Sequence, residues 1–200
     1  MDPFYSPGMD WISYTTSRAA HLITAQRRGE SVEPLVAQHN RDLALSHRSW
    51  FEALYKDKYE YMGEWDLMSL AFCLDLGFYY LCIVSQPFKF GPKALLDLPF
   101  SLPISRPFFH LIRAYNRRFA KIARRRRQVG TLGKTNRGNR CLIPGYTMKG
   151  GDAWQIAKAL LRWGWLELKE GWQSWGASGA TGEKEAPVPS RTSAIEGIPS

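Results

Sequence analysis

The segment with the clearest chemical potential is the opening Asp2-Pro3-Phe4-Tyr5-Ser6-Pro7-Gly8. It joins a carboxylate and a rigid turn to the start of a helix, which Ser6 can cap and Pro7 can begin. A helix start presents free N–H groups and a partial positive charge, and Gly8 has no side chain to keep a flat ligand away from the backbone. The segment therefore suits a phosphate or an electron-rich ring carbonyl, although an ordinary helix start uses the same residues.

The rest of the sequence offers little for catalysis or for metal binding. The four histidines form no His-Glu-x-x-His or similar spacing, and His39 and His47, with Asp42 between them, are the set considered as metal ligands. No serine lies in a Gly-x-Ser-x-Gly turn. We therefore assign no catalytic residue and no metal site. The three cysteines have no Cys-x-x-Cys spacing, which argues against a disulfide scaffold and favours a reducing compartment, the cytoplasm.

The positive charge is concentrated in one segment. Of the 27 Lys and Arg residues, thirteen lie between Leu98 and Gly151, a stretch without Asp or Glu, which leaves 14 bases against 18 acids elsewhere. Such a segment favours an anionic partner, with an anionic membrane surface ahead of nucleic acid, whereas a solvated helix face with a basic loop is the alternative. The residues predicted to bind an anion or a lipid are Arg117, Arg118, Arg124, Arg125, Arg126 and Arg127.

The hydrophobic pattern predicts an all-α chain of five helices. The first begins at the opening segment and ends near Gly29, and the second runs from Ser31 to Gly63 with one apolar face. The third covers Glu64 to about Val84, the fourth Pro107 to Arg127, and the fifth begins at Asp152. A short turn is expected at Lys93 to Leu98, between prolines, and no strand alternation occurs.

The third helix is apolar nearly all round. Leu67 to Val84 spans eighteen residues with a single charge, Asp75. A membrane span has to be weighed against a buried central helix. A carboxylate near the middle of a span costs roughly 2.5–3.5 kcal/mol, so we expect a central helix with Asp75 hydrogen-bonded inside the protein.

The opening heptapeptide, running into an apolar helix, resembles the late flavin-contact motif of FAD-dependent oxidoreductases in the flavin halogenase-like, tryptophan halogenase-related branch. Those proteins typically have Gly-Asp-Ala followed by Asp-Pro-x-x-Ser-x-Gly. Asn40, Tyr61-Met62-Gly63 and the helix with Asp75 resemble their helical C-terminal region. The resemblance covers about residues 2–125.

The resemblance implies that Asp2, Pro3, Ser6, Pro7 and Gly8 lie against FAD. It also implies that the chain is the C-terminal portion of a larger flavoprotein, because no strand followed by Gly-x-Gly-x-x-Gly occurs in it. A missing N-terminal half or a separate FAD-binding chain would then be its partner. Tryptophan halogenases have a threonine where Pro7 stands, with a backbone amide that helps to hold chloride, so redox or hydroxylation-type chemistry is implied rather than halogenation.

The predicted organisation has three parts. Residues 1–29 are the flavin-facing motif and helix, 30–170 the helical C-terminal region with a basic loop at 124–151, and 171–200 a disordered tail. The fold class is mainly α, a five-helix orthogonal or bundle-like region of a flavoprotein without its Rossmann-type FAD-binding half. The predicted function is a truncated FAD-dependent oxidoreductase that is not active alone. The alternative is a basic helical module that binds an anionic membrane surface or nucleic acid.

Overall fold

The structure is a computed structural model that describes residues 8–99, 106–136 and 150–175. These residues are mainly helical, and no strand occurs among them. The α-helices are α1 (Gly8–Arg27), α2 (Glu33–Trp50), α3 (Trp65–Tyr79), α4 (Ser85–Phe90), α5 (Arg106–Gln128) and α6 (Gly150–Lys169). Two π turns lie at Phe51–Tyr55 and Tyr80–Val84, and short 3₁₀ helices lie at Lys58–Glu60, Pro92–Leu96 and Gly171–Ser174.

The centre of the fold is α3, which packs against α5 and α6. Its apolar residues are buried on several sides, as expected for a helix without a polar face. The predicted central helix is confirmed, because Asp75 is only 4% exposed and is hydrogen-bonded. The buried core residues from these three helices include Leu67, Leu70, Ala71, Leu74, Phe78, Ile112, Phe119, Ile122, Ile156 and Ala159.

The prediction of one long second helix is wrong. Helix α2 ends at Trp50 and the first π turn follows, in which the Lys56 N–H donates to the Phe51 carbonyl five residues back, at 3.1 Å. A π turn accommodates an extra residue and leaves a neighbouring carbonyl available. The Ala53 carbonyl is taken up by the amide of Asn116 on α5, at 3.0 Å. The helical backbone thus continues through Tyr55 and ends before the predicted Gly63, and Asn116 contacts the π turn from α5.

The predicted number of five helices is also wrong for the described residues, because α4 (Ser85–Phe90) forms in a segment where only a turn at Lys93 to Leu98 was expected. Pro87 lies in the first turn of α4, the part of a helix in which a proline is tolerated.

The remaining helices lie close to their predicted positions. Gly29 follows α1 with a positive φ of 77°, the conformation that ends a helix at a glycine. Helix α6 begins at Gly150, so Asp152 lies in its first turn. The chain also stays packed beyond residue 170, because the 3₁₀ helix at Gly171–Ser174 contacts both α5 and α6. The remaining predicted loop, 137–149, and tail, 176–200, lie outside the described residues.

Candidate functional site

A small cavity lies between the end of α2 and the end of α3. Its volume is about 40 Å³, and Trp50, Leu54, Asp75, Leu76 and Tyr79 line it. The walls are mostly apolar and aromatic, with a single carboxylate. Both π turns adjoin this cavity, since one follows Trp50 and includes Leu54 and the other follows Tyr79. π turns are frequent at functional sites, which makes this cavity the first candidate.

The cavity carboxylate belongs to a buried ion pair. Lys58, from the 3₁₀ helix at Lys58–Glu60, forms an ion pair with Asp75 Oδ2, and the Tyr115 hydroxyl donates a hydrogen bond to Asp75 Oδ1. The Lys58 side chain is completely buried. Burial lowers the pKa of Lys58, and the charge of Asp75 opposes that effect. Two buried charges persist only when each compensates the other, so three elements are held together here.

The polar contacts continue behind this pair. The Tyr61 hydroxyl donates to Asn116 Oδ1, and the Asn116 amide donates to the carbonyls of Ala53 and Ile112, both at 3.0 Å. Lys58 Nζ lies 5.9 Å from the centre of the Tyr61 ring. Burial raises the pKa of Tyr61 well above its ordinary value. We call Lys58, Asp75, Tyr115, Tyr61 and Asn116 the Asp75 cluster.

Helix α1 is fastened to the wall of the cavity. The Tyr79 hydroxyl donates to both carboxylate oxygens of Asp10, at 3.0 and 2.9 Å, and the Tyr14 hydroxyl donates to the Ile83 carbonyl in the second π turn, at 3.4 Å. Burial raises the pKa of Asp10, although its hydrogen bond with Tyr79 opposes the shift. Burial, with the charges of Asp10 and Asp97, raises the pKa of Tyr14 to about 12. The first turn of α1 therefore has a fixed place beside the cavity.

The cavity can hold one small polar group beside Asp75. Asp75 lines the cavity, and its two carboxylate oxygens contact Lys58 and Tyr115. A carboxylate held by two partners presents a fixed negative charge at the cavity wall, which can orient a polar group by electrostatics. The apolar walls exclude bulk water and so strengthen these interactions.

Of the residues predicted to contact FAD, Gly8 begins α1 and is the only one within the described residues. Asp2, Pro3, Ser6 and Pro7 lie outside them. Gly8 precedes Asp10 by two positions, so it belongs to the helical turn that is fastened to Tyr79. Lys58 and Tyr115 were not predicted as partners of Asp75 from the sequence. The signal was Asp75 itself, because a buried carboxylate requires a cationic or hydroxyl partner.

Two of the arginines predicted to bind an anion are occupied inside the protein. Arg126 is 5% exposed and forms ion pairs with Glu64, Asp66 and Glu170. Arg118 makes a two-pronged contact with Glu167, with both distances at 2.8 Å. Neither guanidinium is available to an external anion.

The other predicted arginines differ in their surroundings. Arg124 and Arg127 reach Glu60 at 3.4 and 3.1 Å from exposed positions. Arg117 is exposed, and Arg125 is partly buried. Among these six residues, the exposed charge that is left for an outside partner is therefore centred on Arg117 and on the more weakly paired Arg124 and Arg127.

The histidines considered as metal ligands have other surroundings. The Asp42 carboxylate pairs with Arg18 at 2.9 Å, and the His47 ring packs edge-on against Trp11. No group of three or more His, Cys, Asp and Glu within residues 8–99, 106–136 and 150–175 could hold a metal ion. In the same ranges, no helix has both the length and the hydropathy needed to cross a membrane.

Comparison with family models, with curated proteins and with solved structures finds no match to this chain.

Proposed function

We propose that this chain is the helical C-terminal portion of a FAD-dependent oxidoreductase that resembles the halogenase-like branch. In this proposal FAD lies against Asp2, Pro3, Ser6, Pro7 and Gly8, and the cavity with the Asp75 cluster lies on the substrate side. One observation carries it. The helix that continues the flavin-type heptapeptide is fastened, through Asp10 and Tyr79, to the wall of the cavity.

The start of α1 has the properties that a flavin contact requires. The N–H groups and dipole of a helix start favour an electron-rich or anionic group, and Gly8, the first residue of α1, allows a flat ring system to approach the backbone. Trp11 and Tyr14 on the same helix are buried, so α1 is anchored to the core immediately after its first turn. A binding surface on a rigid element holds its ligand more accurately than one on a loop.

When bound, FAD supplies the redox chemistry, and the protein supplies binding, orientation and electrostatics. In this proposal Trp50, Leu54 and Leu76 exclude water from the reacting group. Asp75 orients it by a polar contact, and Lys58 and Tyr115 hold the carboxylate in place. Because Pro7 has no N–H, the proposal is for redox or hydroxylation-type chemistry rather than halogenation.

The experiment measures how much FAD is bound to the protein when it is purified from the cells that naturally produce it. A purification tag is added to the C-terminus at the chromosomal locus, and the isolated material is analysed for polypeptide mass and for FAD released by heat. We expect about one FAD per tagged chain, either within a longer polypeptide or together with a second chain. The isolated 200-residue chain is expected to bind FAD weakly or not at all.

A matched pair of glycine variants tests the location of the flavin. Gly8→Leu adds a side chain at the first turn of α1, whereas Gly151→Leu adds the same side chain at the first turn of α6, where a Cβ meets no atom within 4 Å. We expect Gly8→Leu to lose FAD and Gly151→Leu to retain it. Colourless wild-type material, or equal FAD content in both variants, contradicts the proposal.

A further inference from the structure

Helix α6 is apolar on two opposite faces. Its inner face contributes Ile156 and Ala159 to the core, with Trp163 and Leu166 packed beside them. Its outer face carries four large apolar side chains that are between 59% and 75% exposed, namely Trp154, Leu161, Trp165 and Leu168. We call these four the tryptophan face. Trp172, in the turn that follows α6, is also exposed.

The spacing places the tryptophan face on one stripe. Its members are separated by seven, four and three residues, which are the steps that return to the same side of an α-helix. Four such side chains form a patch comparable to the largest apolar patches of soluble monomers, roughly 300–600 Å². Patches of this size usually mark a binding surface.

Charge is sorted across α6. Lys158, Arg162 and Lys169 are exposed on or beside the tryptophan face, and Lys158 Nζ lies 5.3 Å from the centre of the Trp154 ring. The acidic residues near the end of the helix point the other way, since Glu167 pairs with Arg118 and Glu170 pairs with Arg126. The outer side of α6 is consequently apolar and cationic together.

Several observations favour lipid as the occupant. Tryptophan and lysine are typical of helices that lie in a membrane interface, and leucine inserts among the acyl chains. A second copy placed with the same face inward would bring equal positive charges together. The centre of a protein–protein interface is depleted in lysine, whereas Lys158 lies within this stripe. Leu161 and Leu168 offer no ring for stacking with a nucleic-acid base.

We propose that α6 lies flat on an anionic membrane surface. The tryptophan face enters the boundary between headgroups and acyl chains, and Lys158, Arg162 and Lys169 contact the anionic headgroups. This inference does not depend on the flavin proposal, because it uses different residues and a different ligand.

The test is flotation of the purified chain with phosphatidylcholine vesicles, with and without phosphatidylserine. The apolar variant is Trp165→Ser with Leu168→Ser, and its matched control is Phe88→Ser with Phe90→Ser, which changes two equally exposed apolar residues elsewhere. The charge variant is Lys158→Glu with Lys169→Glu, and its control is Arg41→Glu with Lys56→Glu, also at exposed positions. All four variants change exposed residues, and circular dichroism checks that each is folded.

We expect flotation only with phosphatidylserine present, weakening as salt concentration rises. The apolar variant should lower the partition coefficient about a hundredfold, because each of the two replaced side chains contributes on the order of one factor of ten. The charge variant should abolish the preference for phosphatidylserine, and both controls should float as the wild type does. Absence of flotation at low salt overturns the inference, as does an equal loss in variant and control. The inference is also overturned if sedimentation shows that the tryptophan face joins two copies of the chain. Binding of single-stranded nucleic acid in place of vesicles would overturn it as well.

Discussion

Replacing Asp75 by asparagine tests how much the negative charge of Asp75 contributes to the stability of the buried Asp75 cluster. The asparagine oxygen can still accept the hydrogen bond from Tyr115, but Lys58 loses its counter-charge while remaining completely buried. The effect therefore reports the electrostatic pairing and not a change in packing, since the two side chains have nearly the same shape.

The expected cost is large because neither partner can reach water. Breaking a buried ion pair by removing one member costs about 3–5 kcal/mol. The whole free energy of unfolding of a domain is about 5–15 kcal/mol. With a dependence on urea of about 2 kcal/mol per molar, the unfolding midpoint should fall by roughly 1.5–2.5 M.

The assay is urea unfolding followed by circular dichroism, for Asp75→Asn, Lys58→Met and the double variant. The double variant should lose less free energy of unfolding than the two single variants lose in sum, because it leaves no unpaired buried charge. Glu30→Gln is the control. It removes one member of the exposed pair with Arg28 and should leave the midpoint unchanged.

The reasoning is refuted if Asp75→Asn unfolds at the wild-type urea concentration, or if the losses of the single variants simply add. Either result would mean that Lys58 and Asp75 are not paired in the folded protein.

Three further predictions concern the contacts around the core. Arg126→Leu removes the cation that three carboxylates share, one of them the buried Glu64, and should cost about 3–5 kcal/mol in urea unfolding. Tyr61→Phe removes the hydroxyl that donates a hydrogen bond to Asn116 and should cost about 1–3 kcal/mol in the same assay. An unchanged free energy of unfolding would contradict this hydrogen bond. Burial acts to raise the pKa of Asp66, but the hydrogen bond and charge of Arg126 lower that pKa below the ordinary value of 3.8. The stability that the Asp66 carboxylate contributes is therefore complete above pH 3.8 and is lost as the pH falls through the lower pKa of the folded state. Asp66→Asn should therefore flatten the loss of stability in acid, and an unchanged pH profile would contradict this.

The helices that end on local signals could be predicted from the sequence. Gly29 has the positive φ that stops α1, and α5 has an apolar stripe that continues to Ile122. The burial of Asp75 followed from its place in an apolar run, because a polar residue there needs an internal partner. These features depend on residues close together in the chain.

The features that depend on distant residues could not be predicted. The π turn that follows Trp50 is contacted by the Asn116 amide, which comes from α5 and donates to the Ala53 carbonyl. The cation for Asp75 is Lys58, in a segment that the apolar pattern extends as a regular helix. The arginines of α5 form one continuous charged run in the sequence, but their pairing with acids on either side divides them into buried and exposed members.

The contact between Arg126 and Glu170 can form only late in the synthesis of the chain. Glu170 follows Arg126 by 44 residues, which a ribosome working at roughly 5–20 residues per second adds in about 2 to 9 seconds. Glu64 and Asp66 have been made by then, but Glu167 and Glu170 have not. During those seconds the arginines of α5 have only part of the acidic residues that neutralise them. The remaining contacts form once the end of α6 and Glu170 have been synthesised.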